Sequence, residues 1–117
     1  MYEYAATVER VVDGDTVDIS LDLGFETYRK LRVRLNGINT PELHDPDKDV
    51  RAKAVAAMTF LADALPRGLE VRVVTIKDRT EKYGRYLADI FQTGQTVTVQ
   101  SKLITAGLAV EYHGEKR

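Results

Sequence analysis

The chain contains 117 residues, of which 17 are Lys or Arg and 18 are Asp or Glu, and it has no Cys. A chain of this length can bury roughly two-thirds of the surface that its unfolded form exposes, so one core without disulfides or a structural zinc is expected over residues 1–117. The lack of Cys excludes thiol nucleophiles, iron–sulfur clusters and cysteine-bound zinc. The sequence therefore predicts a single globular domain.

The sequence shows no sign of a membrane span or an export signal. No apolar run approaches the roughly 20 residues that a membrane helix needs, and the first residues carry no basic stretch before an apolar one. We therefore expect a soluble protein with no membrane partner, and a monomer by default because the sequence shows no second domain or tail. The compartment is left open, with an intracellular location slightly favoured by the absence of a signal peptide.

The formal net charge of -1 argues against a nucleic-acid partner when it is taken alone. The charges are sorted along the chain, however. Residues 1–28 carry seven acids and one base, whereas residues 29–38 carry four bases and no acid. A local cationic surface is therefore compatible with the overall balance.

Alternation of apolar and polar residues predicts most of the strands. In chain order, the five predicted strands lie near residues 5–12, 17–23, 30–35, 69–73 and 85–91. The first strand is expected to turn at Asp13-Gly14, a favoured hairpin dipeptide. In the third strand, Lys30, Arg32 and Arg34 alternate with aliphatic residues, so the three cations share one face and the aliphatic residues face a core.

Two helices complete the predicted fold. Residues 47–65 contain no Gly or Pro, place apolar residues at helical spacing and are followed by Pro66 and Gly68. A shorter helix is predicted over residues 99–106, where Gly107 ends it. The order of three strands, a helix, two strands and a helix indicates a mainly β, α+β fold, most economically an OB-type five-stranded barrel capped by helices.

The first candidate motif is Val-Asp-Gly-Asp-Thr-Val at residues 12–17. A structural interpretation is a hairpin turn in which the Asp side chains accept hydrogen bonds from local backbone N–H groups. A functional interpretation is that Asp15 offers a hard oxygen ligand to a cation such as Ca²⁺. The motif by itself leaves both open.

The second motif runs from Arg34 to Glu42. In a structural interpretation, Thr40 caps a helix that has Pro41 at its first position. In a functional interpretation, oxygen donors such as Asn39 follow directly after a cation. A phosphodiester site needs this mixture, because a carboxylate activates water and a cation neutralises the phosphate.

The third motif is a charged segment over residues 78–85. It reads either as a solvated turn with an ordinary surface arginine or as a phosphate-binding loop. In the second interpretation Arg85 binds a phosphate with its two-pronged guanidinium, flanked by Lys82 and Tyr83.

In this order and at this spacing, the three motifs resemble the staphylococcal nuclease (thermonuclease) family. The match runs from about residue 5 to residue 112 and includes Arg34 eight residues before Glu42, Lys-Tyr-Gly-Arg at 82–85 and Gly-Leu-Ala at 107–109. The resemblance implies an OB-type barrel that acts as a Ca²⁺-dependent endonuclease. It further implies single-stranded DNA or RNA as the substrate, low sequence preference and 3′-phosphate products.

The resemblance also implies roles for individual residues. Glu42 looks like the general base, and Arg34 and Arg85 look like the pair that binds the phosphate and stabilises the transition state. The implied calcium ligands are Asp15, Asn39, Thr40 through its backbone carbonyl and, close behind them, Asp13. The implied nucleotide-binding residues are Lys82, Tyr83 and Tyr112.

Two departures from the family pattern affect these expectations. Asn39 stands where the family commonly has a second Asp, and an amide oxygen ligates Ca²⁺ without contributing charge, so weaker calcium binding is expected. A second aromatic residue expected near Tyr112 is missing, and residues 113–117 leave no room for the third helix of longer relatives. Base stacking is therefore expected to be poorer.

Charge counting favours a metal requirement. Asp13, Asp15 and Glu42 give -3, and Arg34 and Arg85 give +2, so the site without a metal carries -1 and repels a phosphodiester. A bound Ca²⁺ changes this to +1.

Two other interpretations stay open. One is a catalytically weak or inactive nuclease-like domain that binds single-stranded nucleic acid or a protein partner, which Asn39 favours slightly. Retention of Arg34, Glu42 and Arg85 together disfavours it, since a pure binder has little use for a carboxylate beside the phosphate. The other is a small acidic barrel whose basic strand is only a solvated face.

Overall fold

The computed structural model describes residues 2–80 and 85–112, and for residues 77–80 the backbone alone. Within these ranges the strands and helices are, in chain order, β1 (Tyr2–Asp13), β2 (Thr16–Asp22), β3 (Tyr28–Leu35), β4 (Ile38–Asn39), α1 (Lys48–Ala64), β5 (Glu70–Thr80), β6 (Tyr86–Gln92), α2 (Val99–Thr105) and β7 (Val110–Glu111).

The five long strands close into a barrel in the order β1-β2-β3-β6-β5. Pairing of β1 with β5 closes the barrel, and every pair is antiparallel except β3 with β6. α1 packs against β1, and α2 packs against β6 and α1. The predicted five-stranded barrel with helices is confirmed.

The core follows from the alternation seen in the sequence. In β3, Val33 and Leu35 are buried and Leu31 is half-buried, whereas Lys30 and Arg32 are exposed. In β2, the apolar residues are buried on the same principle, since successive side chains of a strand point to opposite faces. Removing these aliphatic side chains from water is the main stabilising contribution to a barrel of this size.

The helices begin and end where their caps lie. The Asp47 side chain accepts a hydrogen bond from Asp49 N at the start of α1, and α1 ends before Pro66. The alternative in which Thr40 caps a helix is wrong, because α1 begins only at Lys48. After α2, Gly107 adopts a φ of 76°, and hydrogen bonds from Gly107 and Leu108 satisfy two terminal carbonyls. No helix within the described ranges is long and apolar enough to cross a membrane.

Some features of the fold differ from the sequence-based expectation. β4 and β7, which pair with each other, were not predicted, because two residues are too few to show a period. β5 continues to Thr80, which pairs with Tyr86 of β6. Residues 78–80 of the third motif therefore belong to β5. Pairing with β6, rather than alternation of apolar and polar residues, extends this strand to Thr80.

The pairing places several strand ends at one end of the barrel. Asp13, the last residue of β1, pairs with Thr16, the first of β2, and Thr16 also pairs with Arg34 near the end of β3. Arg34 in turn pairs with Leu87 near the start of β6. The first two motifs and the strand that follows the third therefore meet at this end.

Gly14, between β1 and β2, packs tightly against two other segments at this end. A Cβ added to it would lie 2.9 Å from Ala57 Cβ on α1 and 3.0 Å from Thr40 Oγ1 in the loop after β4. A glycine here therefore lets the turn, the loop and the helix approach one another.

We expect Gly14→Ala to destabilise the fold by about 1–3 kcal/mol, because the added methyl overpacks this contact. Denaturant unfolding of Gly14→Ala, Ala57→Gly and the double variant measures the effect. The double variant should lose less stability than the sum of the single variants, since Ala57→Gly removes the atom at 2.9 Å. Strict additivity would contradict the proposed contact.

Candidate active site

Arg34 joins three segments at this end of the barrel. Its side chain is only 12% exposed, and Nη2 donates to Ile38 O at 3.0 Å and to Asn39 Oδ1 at 3.2 Å. The same nitrogen lies 3.6 Å from Asp15 Oδ2. The guanidinium also lies over the Tyr112 ring, 5.4 Å from its centroid, a cation–π geometry. These contacts bring together four residues that the sequence singled out.

Thr16 links the second arginine to the same group. Arg85 Nη1 donates to Thr16 Oγ1 at 2.6 Å, and Thr16 Oγ1 donates to Asp15 Oδ1 at 3.0 Å. Arg85 is half-buried, so its interpretation as an ordinary surface arginine is wrong. Thr16 was not predicted to belong to the site; the available signal was a hydroxyl directly after Asp15, one residue before the predicted second strand and in phase with its polar face.

The turn between β1 and β2 fixes Asp15. Asp13 Oδ1 accepts a hydrogen bond from Asp15 N at 3.0 Å, as the structural interpretation of the first motif predicted. Asp15 O accepts from Leu35 N at 2.8 Å. The backbone of this turn is thus tied to the end of β3, and the Asp15 carboxylate is held against Arg34 and Thr16.

The surroundings of Asp15 disfavour the ionised form of its carboxyl group. Burial raises the pKa of Asp15 to about 6, and the neighbouring Asp13 carboxylate acts in the same direction. Arg34 and Thr16 lower the pKa but do not offset these effects. A further cation beside this carboxylate would favour its ionised form.

The oxygen donors here fit a hard cation such as Ca²⁺. Asp15 Oδ2 and Asn39 Oδ1 approach the same guanidinium nitrogen, so these two donors lie close together. Thr40 is buried beside Gly14. In the part of the chain that the structure describes, no group of three or more acidic, His or Cys side chains is arranged to hold a metal. A metal held here would therefore depend on amide and backbone oxygens and on water as well as Asp15.

The remaining predicted residues lie apart from this group or outside the described residues. Glu42 is exposed in the loop after β4, and within the described ranges its carboxylate has no hydrogen bond or ion pair. Lys82 and Tyr83 lie outside the described residues. Glu42 thus follows Thr40 by two residues, and no hydrogen bond or ion pair among the described residues fixes the orientation of its carboxylate.

Comparison with other proteins gives a consistent family assignment. Residues 32–117 match the family model described as "Staphylococcal nuclease homologue". The chain is 37% identical over 102 residues to a thermonuclease of Staphylococcus intermedius, an alignment that covers 87% of this chain and 56% of that protein.

Two Bacillus subtilis (strain 168) proteins are also similar. The chain is 32% identical over 103 residues to the SPbeta prophage-derived endonuclease YokF, covering 88% of this chain and 32% of that protein. It is 31% identical over 103 residues to endonuclease YncB, covering 88% of this chain and 46% of that protein. The chain thus spans between about a third and somewhat over half of the length of these curated relatives.

We expect Asp15→Asn to stabilise the protein when calcium is chelated. A raised pKa means that the folded state binds the proton more tightly, so above about pH 6 the ionised carboxylate opposes folding. The free energy of unfolding at pH 8 should rise by about 1–3 kcal/mol, and the gain should shrink as the pH falls from 6 towards 4, because the folded state is then protonated and the unfolded state becomes protonated only around its ordinary pKa of 3.8.

Asp18→Asn provides a control of opposite sign. The hydrogen bond from Arg32 lowers the pKa of Asp18, so this carboxylate stabilises the fold at pH 8 and its loss should be destabilising. Denaturant titrations of both variants across pH 4–8 measure the difference. Equal destabilisation by the two substitutions would contradict the electrostatic description of Asp15.

Proposed function

Since the chain belongs to the staphylococcal nuclease family, we propose that it hydrolyses phosphodiester bonds of DNA and RNA with Ca²⁺ and low sequence preference. The observation that carries this proposal is the convergence of Arg34, Arg85 and Asp15 around Thr16 at one end of the barrel. Two guanidinium groups beside a buried carboxylate suit a phosphate and a cation bound next to each other.

The two arginines bind and orient the phosphate. Arg34 is held by Ile38 O, Asn39 and Tyr112, and Arg85 by Thr16. Because these contacts set the guanidinium positions before substrate arrives, little reorganisation is needed when charge develops on the phosphate oxygens. The planar, two-pronged guanidinium matches a phosphate better than a lysine ammonium does.

The oxygens of Asp15, Asn39 and Thr40 are the proposed calcium ligands, with Asp13 close behind. When bound, Ca²⁺ supplies positive charge that neutralises the phosphate and helps to position the attacking water. The burial of Asp15 beside the Asp13 carboxylate disfavours its ionised form, and a bound cation would favour that form, which supports this assignment.

Glu42 is the proposed general base. It accepts a proton from the attacking water as the water oxygen bonds to phosphorus and the bond from phosphorus to the 5′ oxygen breaks. The 5′ oxygen takes up a proton from solvent, which leaves a 3′-phosphate and a 5′-hydroxyl. The exposed position of Glu42, near Thr40 and open to water, supports this role.

A second candidate is a domain that binds single-stranded nucleic acid, or a protein partner, without cleaving a substrate. The hydrogen bond from Arg34 to Asn39 Oδ1 favours it, since this oxygen is already engaged by the guanidinium. Incubation with single-stranded DNA in Ca²⁺ or in a chelator separates the two: calcium-dependent shortening supports a nuclease, and intact, retarded strands support a binder.

We expect Glu42→Gln to lower turnover of single-stranded DNA by roughly 10²- to 10⁴-fold, because the amide cannot accept the proton of the attacking water. Initial rates at saturating Ca²⁺ provide the measurement. Glu70→Gln, which removes an exposed carboxylate at the start of β5, is the control and should leave the rate unchanged. An unchanged rate in Glu42→Gln would exclude Glu42 as the base.

We expect Asn39→Asp to tighten calcium binding by about tenfold, because it adds a negative charge to the proposed ligand group. The Ca²⁺ midpoint for activity should fall, and the same shift should appear in the Ca²⁺ dependence of the melting temperature, which needs no turnover. Gln95→Glu adds the same charge at an exposed position and serves as the control. An unchanged midpoint would mean that residue 39 does not face the ion.

A further inference from the structure

We infer that the outer face of β3 binds the sugar–phosphate backbone of a single-stranded substrate beyond the cleaved bond, an inference that rests on the proposed function. The surface consists of Tyr28, Lys30, Arg32 and Arg34, which we call the β3 column. It starts at the proposed phosphate-binding arginine and runs along the barrel wall away from the active site.

The geometry of a strand sets the spacing of the β3 column. Alternate residues of a strand lie about 6.6–6.8 Å apart on one face, which is comparable to the separation of successive phosphates in an extended single strand. The register of β3 against β2, with Thr16 opposite Arg34, Asp18 opposite Arg32 and Ser20 opposite Lys30, keeps these side chains on the outer face. A strand with one phosphate at Arg34 could thus place the next two at Arg32 and Lys30.

The exposed fractions of the side chains indicate that the cations, rather than the acids, form the outermost layer of the β3 surface. Lys30 lies 3.3 Å from Glu9, and their side chains are 80% and 31% exposed. Arg10 and Arg32 both bind Asp18, with side chains 65% and 48% exposed against 26% for the carboxylate. An approaching polyanion therefore meets ammonium and guanidinium groups first.

Asp18 orients Arg10 and Arg32 and cancels only part of their combined positive charge. Arg32 Nε and Nη2 donate to its two oxygens at 2.8 and 3.1 Å, and Arg10 Nε donates to it at 3.4 Å. The three side chains together carry a net charge of +1, and Nη1 of Arg32 has no hydrogen-bond partner among the described residues. A phosphate oxygen can bind there while the ion pair stays intact.

The cations of the β3 column lie close enough to the arginines of the proposed active site to act on them electrostatically. The hydrogen bond and charge of Asp18 raise the pKa of Arg32. Burial and then the positive charge of Arg85 oppose this rise, and the charge of Asp13 adds to it. The two guanidinium groups are therefore within electrostatic range of each other. A phosphate chain leaving the site along β3 would thus pass from the guanidinium of Arg34 to that of Arg32.

Tyr28 adds an aromatic surface at the far end of the column. It is 65% exposed, lies two residues before Lys30 on the same face and pairs with Asp22 of β2. Exposed aromatic rings next to cations are the usual elements of a single-strand binding surface, because bases of any sequence can stack on them. This combination favours single-stranded nucleic acid over an acidic protein as the occupant.

The test compares Lys30→Gln and Arg32→Gln with the unchanged protein on a twelve-nucleotide oligothymidylate. In a chelator, where no cleavage is expected, fluorescence anisotropy at 0.1 M salt should show an affinity about fivefold lower for each variant than for the unchanged protein. The slope of log affinity against log salt should shrink by about 0.7 for each lost phosphate contact. Lys30 is largely exposed, so its loss leaves the fold intact.

Arg72→Gln is the matched control. Arg72 is also a strand arginine in an ion pair, 2.7 Å from Glu3 on the neighbouring β1, but it lies on β5 outside the β3 column. Its loss should leave both the affinity and the salt slope unchanged. Equal weakening by Arg72→Gln would indicate non-specific attraction and would overturn the inference.

A dinucleotide substrate in Ca²⁺ separates the column from catalysis. It has one phosphodiester, which occupies Arg34 and Arg85, so Lys30→Gln and Arg32→Gln should leave its kcat/KM unchanged while lowering that of the longer oligonucleotide. An equal loss on both substrates would mean that Arg32 acts through Arg85, contradicting the inference. Weakened binding of the long strand without cleavage of either substrate would instead support the column and reject the nuclease proposal.

Discussion

The end of the barrel that holds the candidate active site depends on the nearly buried guanidinium of Arg34. One nitrogen of this group contacts the carboxylate of Asp15, the backbone oxygen of Ile38 and the side chain of Asn39. Burying an arginine is costly unless its donors are satisfied, so these contacts constrain the β1–β2 turn, β4 and Tyr112 together. Thr16 then extends the arrangement to Arg85. These contacts link the second arginine and two of the proposed calcium ligands, Asp15 and Asn39, to the first arginine.

Asp15 is kept where its charge opposes folding. Its burial next to Asp13 outweighs the attraction of Arg34, which explains why its pKa lies near 6. Ion pairs elsewhere on the barrel, such as Asp18 with Arg32, act in the opposite direction and favour the ionised carboxylate. Functional sites commonly retain such local costs because the same charge that destabilises the isolated fold strengthens binding of a cation. The calcium assignment and the stability prediction therefore share one physical origin.

The net charge of -1 understates what the barrel presents to an approaching ligand. The acids of β1 and β2 lie close to the sheet, where they orient the cations of β3, and the longer cationic side chains project beyond them. Long lysine and arginine side chains can do this because their apolar stems cover the sheet while the charged groups reach the solvent. An acidic protein can in this way keep a cationic path for a polyanion, at the cost of greater sensitivity to salt.

The sequence by itself determined the barrel strands, both helices and the inward face of β3, because alternation with period two and caps such as Asp47 are local signals. It also placed Asp15, Arg34 and Arg85 in motifs whose order identified the family. Tertiary structure alone decided the short β4–β7 pair, the extension of β5 to Thr80 and the role of Thr16 between Asp15 and Arg85. It also decided which cations of β3 are paired and how far each projects. These features depend on partners distant in the chain, which only closure of the barrel brings within reach of one another.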